Sequence, residues 1–487
     1  MGLQKKGKVH SLHPPPPGTP HNPELVPRTY ELRHAPGKCA LKLYILFLSK
    51  EYMKRHTTAS IGCLFMSLVV LVLSFVFPIV SRFATTSTKA PPTMSVPKNL
   101  VVVGGSYVGV NVAQQLAAAL SDTFRVVLIE KNSHFNHLFA FPRFAATAKV
   151  DTRKAFIPYN PGTFAATPGV HNNTVVQAKA TGLTRTAVEL DRPVSLGAAG
   201  SEPVRSIPYE YLVLVTGTQM VPPSAVPGTE KRDGVAYLQQ HADQVAAAQR
   251  IVLVGGGAVG VQMATDIKEL YPAKDVTLVH SRATVMNRFH TDLDAIVRAR
   301  FAELGIHTKL GSRVVSPTVS TAARADGTPL EVVCQDGARL ATDLVIVCTG
   351  QTPQSGLLAA LSPSSIGASG FVRVRDTLQV HDATLDNVFA IGDVADSGAP
   401  KAARPAAKQA TVVVQNIQHL LKDEPLDTYA SIEPAGIHMT LGLTKNIVFR
   451  NPQPGEKPYV VPREDGTYDM GIDGVWARRG GGIDANL

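Results

Sequence analysis

Glycines at 104, 105 and 109, and again at 255, 257 and 260, give the chain two copies of one chemical device: VVVGGSYVGV at residues 101–110 and VLVGGGAVGV at residues 252–261. Each copy ends an apolar strand-like run and opens a helix-like one. Such a turn aims unpaired helix N–H groups and the positive end of the helix dipole at an anion, and glycine lets the backbone come close to it. A pyrophosphate suits this geometry. One turn of this kind also occurs for packing alone. Two, 151 residues apart and correctly flanked, predict a chain that holds two dinucleotides. Ser106 stands at the middle glycine position of the first copy, where a side chain crowds the closest approach.

Three further positions carry chemistry. RVVLIE ends on Glu130, 26 residues after Gly104, where an acid accepts hydrogen bonds from adenosine ribose hydroxyls. A solvated strand-end carboxylate is the alternative. The counterpart in the second copy is His280, 25 residues after Gly255. An acid there would repel a 2′-phosphate, whereas His280 with Ser281 and Arg282 suits NADPH as well as NADH, unless Arg282 simply points into solvent. Far downstream, NVFAIGDVADSGAPK delivers Gly392 and Asp393 from a strand into a loop. An Asp so placed can bond the ribityl chain of a flavin; a plain turn is the alternative.

These groups need alternating strands and helices to position them, which is the α/β pattern. Strand, glycine turn, helix and strand occur twice. YEYLVLVTGTQ and ATDLVIVCTG each close an apolar strand on Thr-Gly, and the second of these is expected to return the chain to the first sheet.

At 487 residues the chain suits two or three domains. Its net charge of +10 resembles a nucleic-acid or membrane signal until it is located. Residues 1–93 hold 12 Lys/Arg against 3 Asp/Glu, which leaves 36 against 35 in the remainder. A near-neutral body argues against a broad basic face for nucleic acid. The leader is proline-rich and basic, of disordered composition, and residues 60–80 within it form an apolar run long enough to cross a bilayer as a helix. A start at Met94 would remove it. The four cysteines include no CxxC or CxxxxC pair, so neither a disulfide reductase nor a metal site is indicated.

In the order GGSYVG, Glu130, LVTG, GGGAVG, CTG, IGD, the chain resembles the flavoproteins related to glutathione reductase. Within them it resembles the apoptosis-inducing factor 2 branch, the ferroptosis-suppressor NAD(P)H:quinone oxidoreductases and their fungal relatives. IVLVGGGAVGVQMATDIKELYPAKDVTLVHSRA, SHFNHLFAFPRFAA and GDVADSGAPK carry the likeness, which covers residues 98–425. It implies two Rossmann-like dinucleotide-binding domains: a discontinuous FAD-binding domain at 98–225 and 345–425, and an NAD(P)H-binding domain at 226–344. A C-terminal segment follows at 426–487.

By the same resemblance Gly104, Gly105, Ser106, Gly109 and Glu130 hold the adenine half of FAD, Gly392 and Asp393 the ribityl, and Lys401 lies near the flavin ring, a helix-capping surface lysine being the alternative. Gly255, Gly257, Gly260, His280 and Arg282 hold NAD(P)H. Gln262 stands where the branch commonly has Glu, which puts a proton-relay role there in doubt. Ala406 and Gln409 fall where type II NADH dehydrogenases carry quinone-binding Ala and Gln. Hydride then passes from NAD(P)H to flavin, and electrons pass to a quinone or other small acceptor. The rival reading is a signalling flavoprotein that binds a partner or DNA. Membrane association, mitochondrial or at a lipid-facing cytoplasmic surface, is expected if residues 1–93 are retained, and a cytoplasmic protein otherwise. Trp476 is expected either to pack over the flavin domain or to touch a membrane.

Overall fold

The computed structural model describes residues 98–120, 122–159, 162–164, 173–196, 202–323, 328, 330–430 and 433–485. All lie in one compact unit, Met94–Leu487. The basic leader, the apolar run at 60–80, and Cys39 and Cys63 lie outside the described residues. Among the described residues no helix is long and apolar enough to cross a membrane.

The first glycine turn joins β1 (Lys98–Val103) to α1 (Tyr107–Leu120), which leads to β2 (Phe124–Glu130). β1 is apolar at every position from Leu100 to Val103 because both of its faces are covered. Leu100 and Val102 enter one core cluster, and Val101 and Val103 enter another on the opposite face. β3 (Thr174–Gln177) pairs with β2, and β4 (Tyr211–Leu214) with β1, all in parallel.

Helix α2 (Lys231–Ala247) then leads to the second copy: β5 (Arg250–Val254), α3 (Ala258–Leu270) and β6 (Asp275–Val279). After α4 (Thr291–Leu304) come β7 (His307–Lys309), β8 (Thr321–Ala322) and β9 (Leu344–Val347). This sheet runs β7-β6-β5-β9-β8, parallel except for β8 against β9. β9 pairs directly with β5, so the expected boundary at 344/345 falls inside a strand of the second sheet. The chain leaves that sheet only after β9, where Gln351–Pro353 pairs antiparallel with Thr218–Met220. The two crossings between the sheets thus brace each other.

β10 (Val388–Ala390) completes the first sheet beside β4, in the order β10-β4-β1-β2-β3. α5 (Ala403–Lys422) covers it, its Ala410, Val413, Val414 and Ile417 packing with Val110, Val112, Leu116 and Ala117 of α1. Each of the valine, leucine and isoleucine side chains contributes roughly 1.5–3 kcal/mol when fully buried. In both sheets the chain order reverses next to the strand that enters a glycine turn, and ligands bind at that reversal point in open α/β sheets.

The C-terminal segment forms the antiparallel strands β11 (Gly436–Thr440), β12 (Asn446–Arg450) and β13 (Tyr459–Arg463), then α6 (Ile472–Arg478). Met439, Leu441, Ile447, Phe449 and Ile472 join the core of the second sheet, and Trp476 joins that of the first. Trp476 is buried, with its indole N–H donating to the Gly482 carbonyl at 2.8 Å.

Candidate functional site

At the first turn the backbone leaves little choice of residue. Gly104 has φ +107°, and a Cβ there would stand 2.4 Å from the Val215 carbonyl oxygen. A Cβ on Gly109 would stand 1.7 Å from the Gly104 carbonyl oxygen, so α1 crosses the turn at the closest approach a backbone allows. Ser106 is exposed, and its carbonyl accepts the first helical bond from Val110 N–H at 3.0 Å. The departure from glycine is therefore accommodated by pointing a small side chain outward. Glu130 is buried and faces back into the turn: Oε2 accepts from Gly105 N–H at 2.6 Å, and Oε1 from the Asn132 backbone and side-chain amides. Burial raises its pKa, and these bonds oppose the rise.

The second turn repeats this arrangement. Gly255 has φ +121°, and a Cβ on Gly260 would lie 1.9 Å from the Gly255 carbonyl oxygen. Gly257 caps α3, its carbonyl accepting from Val261 N–H, and nothing lies within 4 Å of where its Cβ would stand. His280 takes the place of Glu130, its Nδ1 accepting from Gly256 N–H at 3.0 Å. Arg282 is exposed. Both turns have orphan N–H groups at a helix start, a tightly closed floor and an exposed third residue. That cradle fits a pyrophosphate.

β10 brings the downstream loop to the first turn. A Cβ on Gly392 (φ +73°) would stand 3.6 Å from the Val108 side chain and 3.7 Å from that of Val215. Asp393 is partly buried, which raises its pKa, and Lys401 opposes the rise. Lys401 is itself partly buried, its Nζ donating to the Ala395 carbonyl and lying 4.5 Å from the centre of the Phe371 ring. Burial lowers its pKa against the pull of Asp396 and Asp393. It braces the Asp393 loop rather than projecting as a surface lysine.

Two expected residues have structural tasks. Gln409 is buried, accepting from Gly392 N–H at 2.8 Å and donating to Ser397 at 2.8 Å. Gln262 turns its amide toward Met470 Sδ at 3.6 Å and also bonds Asp266. Asp266, one helical turn on, is fully buried in a two-point ion pair with Arg143 at 2.6 and 2.9 Å. Arg143 also donates to the carbonyls of Gly442 and Tyr468, which ties the segment after β2, α3 and the C-terminal segment together. Sequence reasoning missed this pair, although an arginine inside the apolar run FAFPRFAA is a signal of a buried partner. It also missed Tyr159, whose hydroxyl donates to the Gly105 carbonyl at 2.8 Å, and Arg479, which stacks on Phe135. Cys334 and Cys348 are free thiols, and burial pushes that of Cys348 up to about 12.

The pyridine nucleotide-disulphide oxidoreductase family matches residues 171–410, beginning after the first glycine turn. The Fe-regulated protein 8 of Mycosarcoma maydis is 35% identical over 79% of this chain and 95% of its own length. The Ferroptosis suppressor protein 1 of Homo sapiens is 32% identical over 72% of this chain and 87% of its own. Among solved structures, the sulfide:quinone oxidoreductase of Aquifex aeolicus covers 79% of this chain and 92% of its own at a TM-score of 0.60 and 18% identity, a likeness of fold.

Proposed function

The chain belongs to the pyridine nucleotide-disulphide oxidoreductase family, in the branch that contains the ferroptosis suppressor proteins, and from that premise we propose that it passes electrons from NAD(P)H through FAD to a quinone-type acceptor. It is an NAD(P)H-dependent flavin oxidoreductase, and FAD and NAD(P)H are its cofactors. The observation that carries the finer reading is the pair of matching turns closed by unlike groups, Glu130 in one and His280 in the other. We assign the Glu130 turn to FAD and the His280 turn to an exchangeable NAD(P)H.

FAD, when bound, supplies a ring that accepts hydride and returns electrons to an acceptor. The chain's own residues bind and orient. Orphan N–H groups at the starts of α1 and α3 hold the pyrophosphates, and Glu130 accepts from ribose hydroxyls. Asp393, held in place by Gly392 and Gln409, orients the ribityl chain. Lys401, coupled to Asp393, places positive charge where negative charge develops during reduction. Neither free thiol belongs to a spaced pair, which favours a small acceptor over a disulfide. A lipid-soluble quinone also suits a chain whose leader contains an apolar run.

The test is direct. Purified full-length protein should carry a flavin absorption spectrum, bleach with NADH or NADPH, and reduce short-chain quinones faster than oxygen. Absence of flavin sinks the whole reading; turnover with ferricyanide but none with any quinone removes the acceptor assignment.

A further inference from the structure

Arg479 is a partly buried cation held against aromatic rings. It follows α6, is partly buried, and pairs with no carboxylate among the described residues. Its guanidinium lies 3.8 Å from the centre of the Phe135 ring and 5.4 Å from that of Tyr107. Tyr107 is the first residue of α1, directly after Ser106. Arg479 also feels the phenol of Tyr159, which bonds the carbonyl of Gly105. The cation therefore sits among the aromatic groups that border the first glycine turn.

Its placement is fixed by the fold. Ile472 and Trp476 anchor α6 in two different cores, and Lys154 pairs with Asp473 at the start of the helix at 2.6 Å. A Cβ on Gly162 would stand 2.9 Å from the Arg479 carbonyl oxygen, so the chain there passes tightly against the first unit. Glu130 faces the turn, where it accepts from the backbone N–H groups of Gly105 and Asn132, and makes no ion pair with Arg479. A guanidinium drawn partly out of water without a counter-charge is costly unless an anion completes it, and its planar fork matches phosphate oxygens.

We propose that Arg479 is the cation that closes over the diphosphate of the dinucleotide at the first glycine turn, which makes the C-terminal segment a strap across that cofactor. This rests on the assignment of that turn to FAD. The strap delivers to the α1 start, beside the Tyr107 ring, a positive charge that the motif itself lacks.

The test uses full-length protein stripped of flavin and titrated with FAD, ADP and adenosine. Arg479→Gln should weaken FAD and ADP about ten- to hundredfold, the worth of one or two charge-assisted bonds, and should flatten the salt dependence of both. Adenosine, which has no phosphate, should bind as it does to the wild type. Arg479→Lys should recover part of the loss and keep the salt dependence. Unchanged FAD affinity in Arg479→Gln, or equal losses for ADP and adenosine, overturns the proposal. If Arg479→Gln fails to fold, Arg479→Lys carries the test: weaker ADP with unchanged adenosine supports the strap, and equal losses overturn it. Wild-type protein that binds no FAD at all would fail the underlying assignment as well.

Discussion

Gly256 N–H donates to His280 Nδ1 at 3.0 Å, the same bond that Gly105 makes to Glu130 at 2.6 Å in the first unit. A ring nitrogen that accepts carries no proton, so His280 is the neutral tautomer protonated at Nε2, and burial lowers its pKa in the same sense. The second turn is thus closed without a negative charge. Replacing His280 by Glu restores the bond and adds the charge beside any 2′-phosphate. We expect kcat/KM for NADPH to fall about tenfold or more while that for NADH stays within about threefold. Steady-state kinetics with both donors checks this; equal losses would show that His280 serves the turn alone.

Gly257 and Gly260 should separate binding from stability. A methyl group on Gly260 would meet the Gly255 carbonyl oxygen at 1.9 Å, forcing α3 off its strand. Gly260→Ala should cost about 1–3 kcal/mol or more, read as a lower denaturation midpoint. Gly257 has φ −84° and open space around it. Gly257→Ala should leave the midpoint nearly unchanged yet raise KM for NAD(P)H, because the new methyl occupies the anion's path.

The ion pair of Arg143 and Asp266 joins three parts of the chain without contact to solvent. Asp266→Asn leaves the guanidinium buried and unpaired, so we expect a loss of about 3–5 kcal/mol in denaturant unfolding. Arg143→Met with Asp266→Leu removes both charges together and should cost less than the single change. Hydrogen exchange at 442–468 should rise in Asp266→Asn before it rises in the central strands.

The strands and turns were legible because their cause is local. Leu100 to Val103 alternate between two cores, so the run reads as apolar throughout, and each glycine marks a backbone contact that admits no side chain. His280 was legible for the same reason, being the last residue before a turn at fixed spacing. What depends on distant packing was not. Arg143 and Asp266 are 123 residues apart, and no local pattern pairs them. Gln409 looks like an acceptor ligand by position, but its partners are supplied by the Gly392 loop. The boundary at 344/345 was misplaced because Leu344–Val347 and Val388–Ala390 are both buried parallel strands, and only pairing shows which sheet each one joins.

His137 gives the fold a predictable acid limit. Its Nδ1 lies 2.9 Å from the Tyr107 hydroxyl, and burial, then Arg479 and Arg478, hold its pKa down to about 4. In the unfolded chain an ordinary imidazole titrates near 6.5. Between those values the unfolded chain binds a proton that the folded one refuses, so stability rises with pH there. The contribution is complete above about pH 6.5, is lost as pH falls toward about 4, and amounts to about 3 kcal/mol. His137→Asn removes the titration while keeping a polar partner for Tyr107. Denaturant midpoints from pH 7 to pH 4 should fall less steeply in that variant than in the wild type. In Arg479→Gln the window should narrow, because the His137 pKa rises once the neighbouring charge is gone. Parallel pH profiles for the wild type and His137→Asn would show that His137 does not set the acid limit.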